Sequence, residues 1–307
     1  MPEFLQRTLD GLLEAGPYAL VGLGLTLGFG TLRRVNLAYG AGAMLGAYVA
    51  SWLYVRQGVP VAAALAALVL VTALAGLYVE LLCFAGGRRP PATRGVTPGL
   101  GADGREVVAL AASFAVWMQL EQLAVLLLPR HLNPLPALAV TGEWALGPFF
   151  LRPDRLLQWG LALALAGAIG WALQHTRGGL AWRAVSDQHA AAHLVGLAVP
   201  RLQRIAFVAS CALGGLAAAA VLALEGQVTP MFGMWMLVKG LVAAMIGGLG
   251  SVRGLLAGAA VLGVVEAHAQ AAFGALGRDA TAWALLLAVL VWRGSRRSVP
   301  SAGLAHA

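Results

Sequence analysis

Lysine and cysteine are almost absent from this chain, and charge of either sign is scarce. Its 307 residues hold one lysine, Lys239, two cysteines, Cys83 and Cys211, and 11% Asp, Glu, Lys and Arg together. Water-soluble domains carry about 25% charged residues, so a soluble fold is excluded. The lysine follows Val238, and without a Gly-Lys-Ser/Thr step no loop can cradle nucleotide phosphates; the chain is not expected to hydrolyse ATP itself. Both cysteines lie in apolar stretches, where a thiol behaves as a small hydrophobe, and no disulfide is expected. His189 and His193 are spaced i, i+4, but Ala190 stands where a zinc protease needs its glutamate and no third ligand is near, so no metal site is expected. In Gly250-Ser251-Val252-Arg253-Gly254 the serine is out of place for a hydrolase nucleophile elbow. No enzymatic role and no cofactor on this chain are expected.

Apolar residues dominate instead, at 60% of the chain with a mean hydropathy of +0.79. Charge-free runs at 15–32, 35–55, 57–79, 156–176 and 205–224 approach or reach the roughly 20 residues a helix needs to cross a bilayer. They are apolar on all sides, whereas a transmembrane β-barrel alternates apolar and polar residues. The predicted fold is an all-α polytopic membrane protein of about eight to nine transmembrane helices. Spans are placed near 15–32, 36–55, 59–85, 106–128, 156–176, 205–224, 229–250, 254–275 and 279–293. Glu225, Lys239, Arg253, Glu266 and Arg278-Asp279 cut the last part into pieces of 11 to 13 residues, so broken or re-entrant half-helices are expected there. Glu3 and Asp10 stand where a secretory signal has its basic region, and the first residues are expected to be retained.

The formal charge of +8 follows topology and does not call for a nucleic acid. Assigning alternate loops to alternate sides puts 14 arginines on one side and 6 on the other. The arginine-rich side is then cytoplasmic, with the N-terminus outside and a cytoplasmic tail at 294–307. Residues 86–105, rich in glycine, proline and arginine, read as a flexible cytoplasmic loop. Residues 129–155, with five prolines, read as external or partly re-entrant.

The third connection, 177–204, is the most informative. Ser186 suits an N-cap, Asp187 suits the positive end of a helix dipole, and Gly196 suits the position just past a helix end. A short cytoplasmic helix is predicted over 187–195, followed by Pro200 in the first turn of the next span. Such a helix, held between two spans, can transmit force from a soluble partner.

Inside the bilayer the polar and helix-breaking residues are Asn36 and Tyr39, beside the glycines at 28 and 30, then Glu121, Thr229-Pro230 and Lys239. Polar groups at that depth mark transport pathways or bond a neighbouring helix. Lys239 is expected to face the bundle interior, bonded to carbonyls freed at Thr229-Pro230 or to Glu121. The pairs Gly24/Gly28, Gly42/Gly46 and Gly254/Gly258 have the small-xxx-small spacing of tight helix contacts.

Three ordered segments resemble one family: the inner-membrane permease subunits of high-affinity branched-chain amino acid ABC transporters. The first runs from Gly24 through Arg33-Arg-Val-Asn36-Leu-Ala-Tyr39-Gly to Ala50. The second is Arg183-Ala184-Val-Ser-Asp187-Gln-His189 to Gly196, similar to the family's ATPase-contacting coupling segment. The third is Val228-Thr-Pro-Met-Phe-Gly233 with Lys239 to Gly254. Tyr39 stands where the family has histidine, and the fourth span matches poorly. The resemblance implies one transmembrane permease domain over 1–307, with a coupling loop at 177–204 using Arg183, Ala184, Asp187, His189 and Gly196. It implies a pathway touching Asn36, Tyr39, Glu121, Thr229, Pro230 and Lys239. The implied partners are a second permease subunit (related chain or copy), two cytoplasmic ATPases that bind the ATP, and an external solute-binding protein. Two alternatives stay open: a sibling importer for urea, short amides or other small amino acids, and an ion-coupled secondary transporter using Lys239 or Glu121.

Overall fold

A computed structural model describes residues 2–32, 36–84, 102–127, 134–135, 144–146 and 149–297. Among them are ten α-helices, a π-helical turn and a two-stranded antiparallel hairpin. The helices are α1 (Pro2–Leu32), α2 (Tyr39–Gln57), α3 (Val61–Val79), α4 (Ala102–Leu127), α5 (Pro153–His175), α6 (Arg177–Asp187), α7 (His189–Leu194), α8 (Val199–Glu225), α9 (Phe232–Gly247) and α10 (Val252–Arg297). The π-helical turn Glu80–Phe84 extends α3, and the hairpin pairs β1 (Trp144–Leu146) with β2 (Phe149–Leu151).

Among the described residues, six helical stretches are long and apolar enough to cross a membrane: Glu3–Gly30, Val61–Phe84, Val107–Leu126, Pro153–His175, Val199–Glu225 and Val252–Arg293. The polytopic all-α reading holds. α9 is shorter at 16 residues. α1 starts a full three turns before the predicted span, because the polar first residues continue the helix instead of leaving it.

α10 is folded back on itself. Gly274 takes φ 75° and ψ −166°, which interrupts the helix. Were α10 straight, Arg293 would lie about 60 Å beyond Val252 at 1.5 Å per residue. Its guanidinium instead lies beside Gly248, four residues before Val252, so the two halves run side by side. The predicted break between 275 and 279 corresponds to this turn.

Burial sorts the helices into an inner and an outer set. The inner set is α1, α2, α8 and α9, whose faces supply most of the core around Tyr18, Leu20, Leu23, Met44, Leu222 and Met236. α1 lies at the centre, packed on α10, α8, α9 and α5. α3, α4, α5 and α10 carry exposed Leu70, Leu74, Val107, Leu126, Leu163, Trp171, Phe273 and Leu287. Apolar exposure on that scale suits lipid contact and not water.

Three sequence expectations change here. The predicted helix over 187–195 is instead two helices, because α6 runs through Asp187 and the chain breaks at Gln188 before α7. Ser186 is not an N-cap: its hydroxyl donates to the Trp182 carbonyl inside α6. Asp187 therefore sits at the negative end of a helix, opposite to its expected place. The loop at 86–105 and the tail at 294–307 lie mostly outside the described residues, but Ala102 to Arg105 belong to α4 and α10 reaches Arg297.

Candidate functional site

Asn36 and Tyr39 are brought together at the start of α2, as their spacing suggested. The Asn36 Oδ1 accepts from the Ala38 N–H at 3.0 Å, which closes a local turn and sets the entry of α2. Its amide donates to the Cys211 sulfur on α8 at 4.0 Å. The Tyr39 hydroxyl donates to the Val21 carbonyl of α1 at 3.1 Å, and its ring is wedged between Gly24 of α1 and Gly214 of α8. A side chain at Gly24 would overlap the phenol oxygen, so the small residue predicted for helix packing also makes room for Tyr39.

These groups line a slot with Gly28, Phe29, Phe207, Ser210, Leu241 and Leu249. Its volume is about 20 Å³, room for about one water. Asn36 and Tyr39 are nearly fully buried, so the slot is closed to anything of amino-acid size. Because the Asn36 amide contacts only a weak sulfur acceptor among the described residues, Asn36→Leu is expected to leave assembly intact and to lower transport. Complex yield after purification and uptake in reconstituted vesicles check this, and normal uptake would reduce Asn36 to a packing residue.

Lys239 faces the interior as expected, but its partner is different. It pairs with Glu266 of α10, and both side chains are buried. Asp279, from the returning half of α10, lies 3.8 Å away, and the ammonium sits 5.6 Å from the centre of the Tyr18 ring. Tyr18 donates to Glu266 at 2.5 Å and accepts from Arg278 at 2.8 Å. Arg278 in turn meets Glu14 at 2.8 Å and Glu266 at 3.5 Å. Two cations and three carboxylates thus tie α1, α9 and both halves of α10 together. Burying a charge demands such compensation. Glu121 is half-buried on α4 and makes no ion pair with Lys239. Thr229 and Pro230 are exposed in the α8–α9 connection, where the Thr229 carbonyl accepts from Phe232. Neither Glu121 nor the Thr229-Pro230 step joins the Asn36–Tyr39 slot.

Glu266, Tyr18, Arg278 and Glu14 were missed as site residues. The signal was present: a glutamate inside an apolar stretch needs a cation, and Lys239 was the cation at similar depth.

At the opposite end of α1, residues 176–204 form a corner with its own small core of Val185, Ala192 and Val199. Thr176 caps α6, its hydroxyl accepting from the Gly179 N–H at 2.9 Å. Gly196 takes φ +82°, and α7 ends with Gly196 N–H on the His193 carbonyl and Leu197 N–H on the Ala192 carbonyl. That is the double bond pattern of a Schellman turn, so the predicted role of Gly196 holds. Arg183 and Asp187 are exposed, Ala184 is half-buried, and His189 opens α7. Leu180, Leu194 and Val195 are also exposed here, at 62%, 89% and 74%. Arg204, at the start of α8, reaches the buried Glu80 of the π-helical turn at 2.9 Å, which ties the corner to α3.

Comparison with known proteins gives one consistent result. The family described as "Branched-chain amino acid transport system / permease component" matches residues 7–293. The chain is 28% identical to the high-affinity branched-chain amino acid transport system permease protein BraD of Pseudomonas aeruginosa, over 95% of this chain and 96% of that one. It is 26% identical to the corresponding LivH protein of Salmonella typhimurium, over 94% and 93%, and 24% identical to LivH of Escherichia coli K12, over 94% and 93%.

Proposed function

We infer that this chain, which belongs to the branched-chain amino acid transport permease family, forms the membrane route of an ATP-driven importer for branched-chain amino acids. The observation that carries this is the match over 7–293, nearly the whole chain, to permease components. The closed Asn36–Tyr39 slot supports it, since a gated pathway needs a few polar groups at depth within apolar walls. ATP hydrolysis then lies on two separate cytoplasmic subunits. The remaining partners are a second permease subunit and an external binding protein that delivers substrate. The arginine distribution supports an inner-membrane orientation with the N-terminus outside and the C-terminus cytoplasmic.

The mechanism follows from the corner at 176–204. Its exposed Leu180, Leu194 and Val195 suit a groove on an ATPase subunit, and Arg183 and Asp187 offer charge beside them. The corner is stiff: Thr176 and Gly196 close its helices, its core holds α6 and α7 to α8, and Arg204–Glu80 links it to α3. A push on it moves α8, and α8 carries Phe207 and Ser210 on the slot wall. Opening the slot therefore requires α8 to shift against Asn36 and Tyr39.

The test is uptake of leucine, isoleucine and valine by cells with and without the gene. Uptake is expected to stop on ATP depletion while the proton gradient persists. Uptake that survives ATP depletion and collapses with the gradient would overturn this reading in favour of an ion-coupled carrier. The corner gives a sharper prediction. Proline fixes φ near −65° and removes the N–H that closes α7, so Gly196→Pro cannot keep the Schellman turn. Insertion should be normal, with stimulation of ATPase activity by the binding protein reduced by about tenfold if the lost turn costs about 1.4 kcal/mol of coupling. Stimulation left intact in proteoliposomes would show that α7 does not carry the signal.

A further inference from the structure

Two open cavities lie at the end of α1 opposite the coupling corner. The larger, about 700 Å³, is bounded by Gln6, Asp10, Leu13, Glu14, Phe150 and Arg155. The smaller, about 270 Å³, includes Tyr18, Glu225, Arg278 and Asp279. Glu14, Arg155 and Gln270 belong to both, so the two are continuous. Their walls carry charges of both signs, with apolar surface from Leu13, Phe150, Ala267 and Ala271 between them. A free cation or a free anion would suit a wall of one sign. A small molecule with both charges on one end and an aliphatic tail suits this one.

Three groups are available to such a ligand. Arg155 touches Gln158 at 3.3 Å through one terminal nitrogen, while its buried Nε has no hydrogen-bond partner among the described residues. The Asp279 carboxylate is 70% exposed and only 3.8 Å from Lys239, a loose contact that leaves accepting capacity. Glu14 shares Arg278 with two other groups, lines both cavities and is 27% exposed at its side chain.

Position along the helices gives the cavities a place in a route. On α1 the order is Glu14 and Tyr18 at the cavities, then Gly24 to Phe29 at the Asn36–Tyr39 slot, about 15 Å further on at 1.5 Å per residue. On α9 the order is Trp235 at the cavity, Lys239 in its pair with Glu266, then Leu241 at the slot. Along both helices the buried ion network thus lies between the open cavities and the closed slot.

We propose that the paired cavities are a receiving site for the zwitterion of an aliphatic amino acid, with Arg155 taking its carboxylate and Glu14 with Asp279 its ammonium. The proposal rests on the import reading and names where substrate first meets this chain. The lining of Leu13, Phe150, Ala267 and Ala271 holds the side chain. Movement inward then requires the Lys239–Glu266 pair to part.

The assembled transporter in proteoliposomes, carrying Ala271→Cys and lacking its binding protein, tests this through labelling by a membrane-impermeant maleimide. Wild type supplies the background from Cys83 and Cys211. Leucine at about ten times its dissociation constant should slow labelling about tenfold by simple occupancy. Isoamylamine and 4-methylvalerate, which carry one charge each, should not. Arg155→Met or, independently, Glu14→Gln should abolish the protection without changing the unprotected labelling rate. Equal protection by the singly charged compounds would overturn the proposal. So would no labelling at all, or protection only with the binding protein present, which would make the cavity a docking surface. Protection by phosphoethanolamine as strong as by leucine would assign it to a lipid headgroup and overturn it as well. Leucine uptake by the same vesicles with binding protein added separates the outcomes: uptake without protection ends this proposal alone, and no uptake ends the import reading.

Discussion

Replacing Lys239 with methionine is expected to lower the folded fraction sharply. The ammonium offsets Glu266, whose side chain is fully buried, and truncating one partner of a buried pair costs about 3 to 5 kcal/mol because the other charge is stranded. Asp279 cannot offset the loss, since it is a further carboxylate. Arg278 can help only in part: it is 3.5 Å from Glu266 and already engaged by Glu14 and Tyr18. Methionine matches the length of the lysine stem, so packing is retained and the missing charge is isolated as the cause. The double replacement Lys239→Met with Glu266→Gln should recover most of the stability, because a neutral amide can still accept from Tyr18. The measurement is the fraction of protein that stays monodisperse in detergent after graded heating. If the single and double variants melt alike, the network is not held by charge compensation. Any uptake left in the single variant should be independent of external pH, since an ATP-driven route carries no proton.

Much of this architecture was readable because the bilayer reduces the problem to segment length. Apolar runs marked α3, α5 and α8 to within a few residues, and Arg278-Asp279 marked the reversal of α10. The polar first turn of Asn36 and Tyr39 was readable for a related reason, as polar groups at depth are few. Two kinds of feature were not readable. The first is partner choice: Lys239 could have reached Glu121 or Glu266, and only the packing of α9 against α10 decides it. The second is the order of short helices in polar sequence. Ser186 and Asp187 have the composition of a helix start, yet the amphipathic face of α6 buries Val185 against Val199 and carries the helix through them. Packing of that face outweighs a cap contribution of about 1 kcal/mol. The charged cavities escaped notice because their residues come from α1, α5, α8, α9 and α10, none of them charged enough to stand out alone.

The other large effect is expected at Gly40. Gly40→Val should abolish both assembly and transport, while Gly42→Ala, two residues further on, should leave yield within about twofold of wild type, at the small end of point-mutation effects. A side-chain carbon at Gly40 would overlap the carbonyl of Gly233 on α9, and carbonyl backbone cannot step aside as a side chain can. At Gly42 the nearest atom is the Ala75 Cβ at 3.3 Å, a contact that small shifts relieve. Overpacking a tight core costs about 1 to 3 kcal/mol or more when backbone must move. The consequence here is larger than the number, because Gly40 adjoins Tyr39. Separating α2 from α9 withdraws the Tyr39 ring from its seat between Gly24 and Gly214 and loosens the bond to Val21. The slot would then lose its closed form, and a permease that cannot close leaks. Purified yield and size-exclusion behaviour read the assembly effect. Proteoliposomes loaded with leucine and diluted without ATP read the leak, which should appear in the milder Gly40→Ala even where enough protein assembles to be purified. A Gly40→Ala transporter that assembles fully and retains its leucine would show that the α2–α9 crossing can widen without opening the slot, and that closure lies with α8 alone.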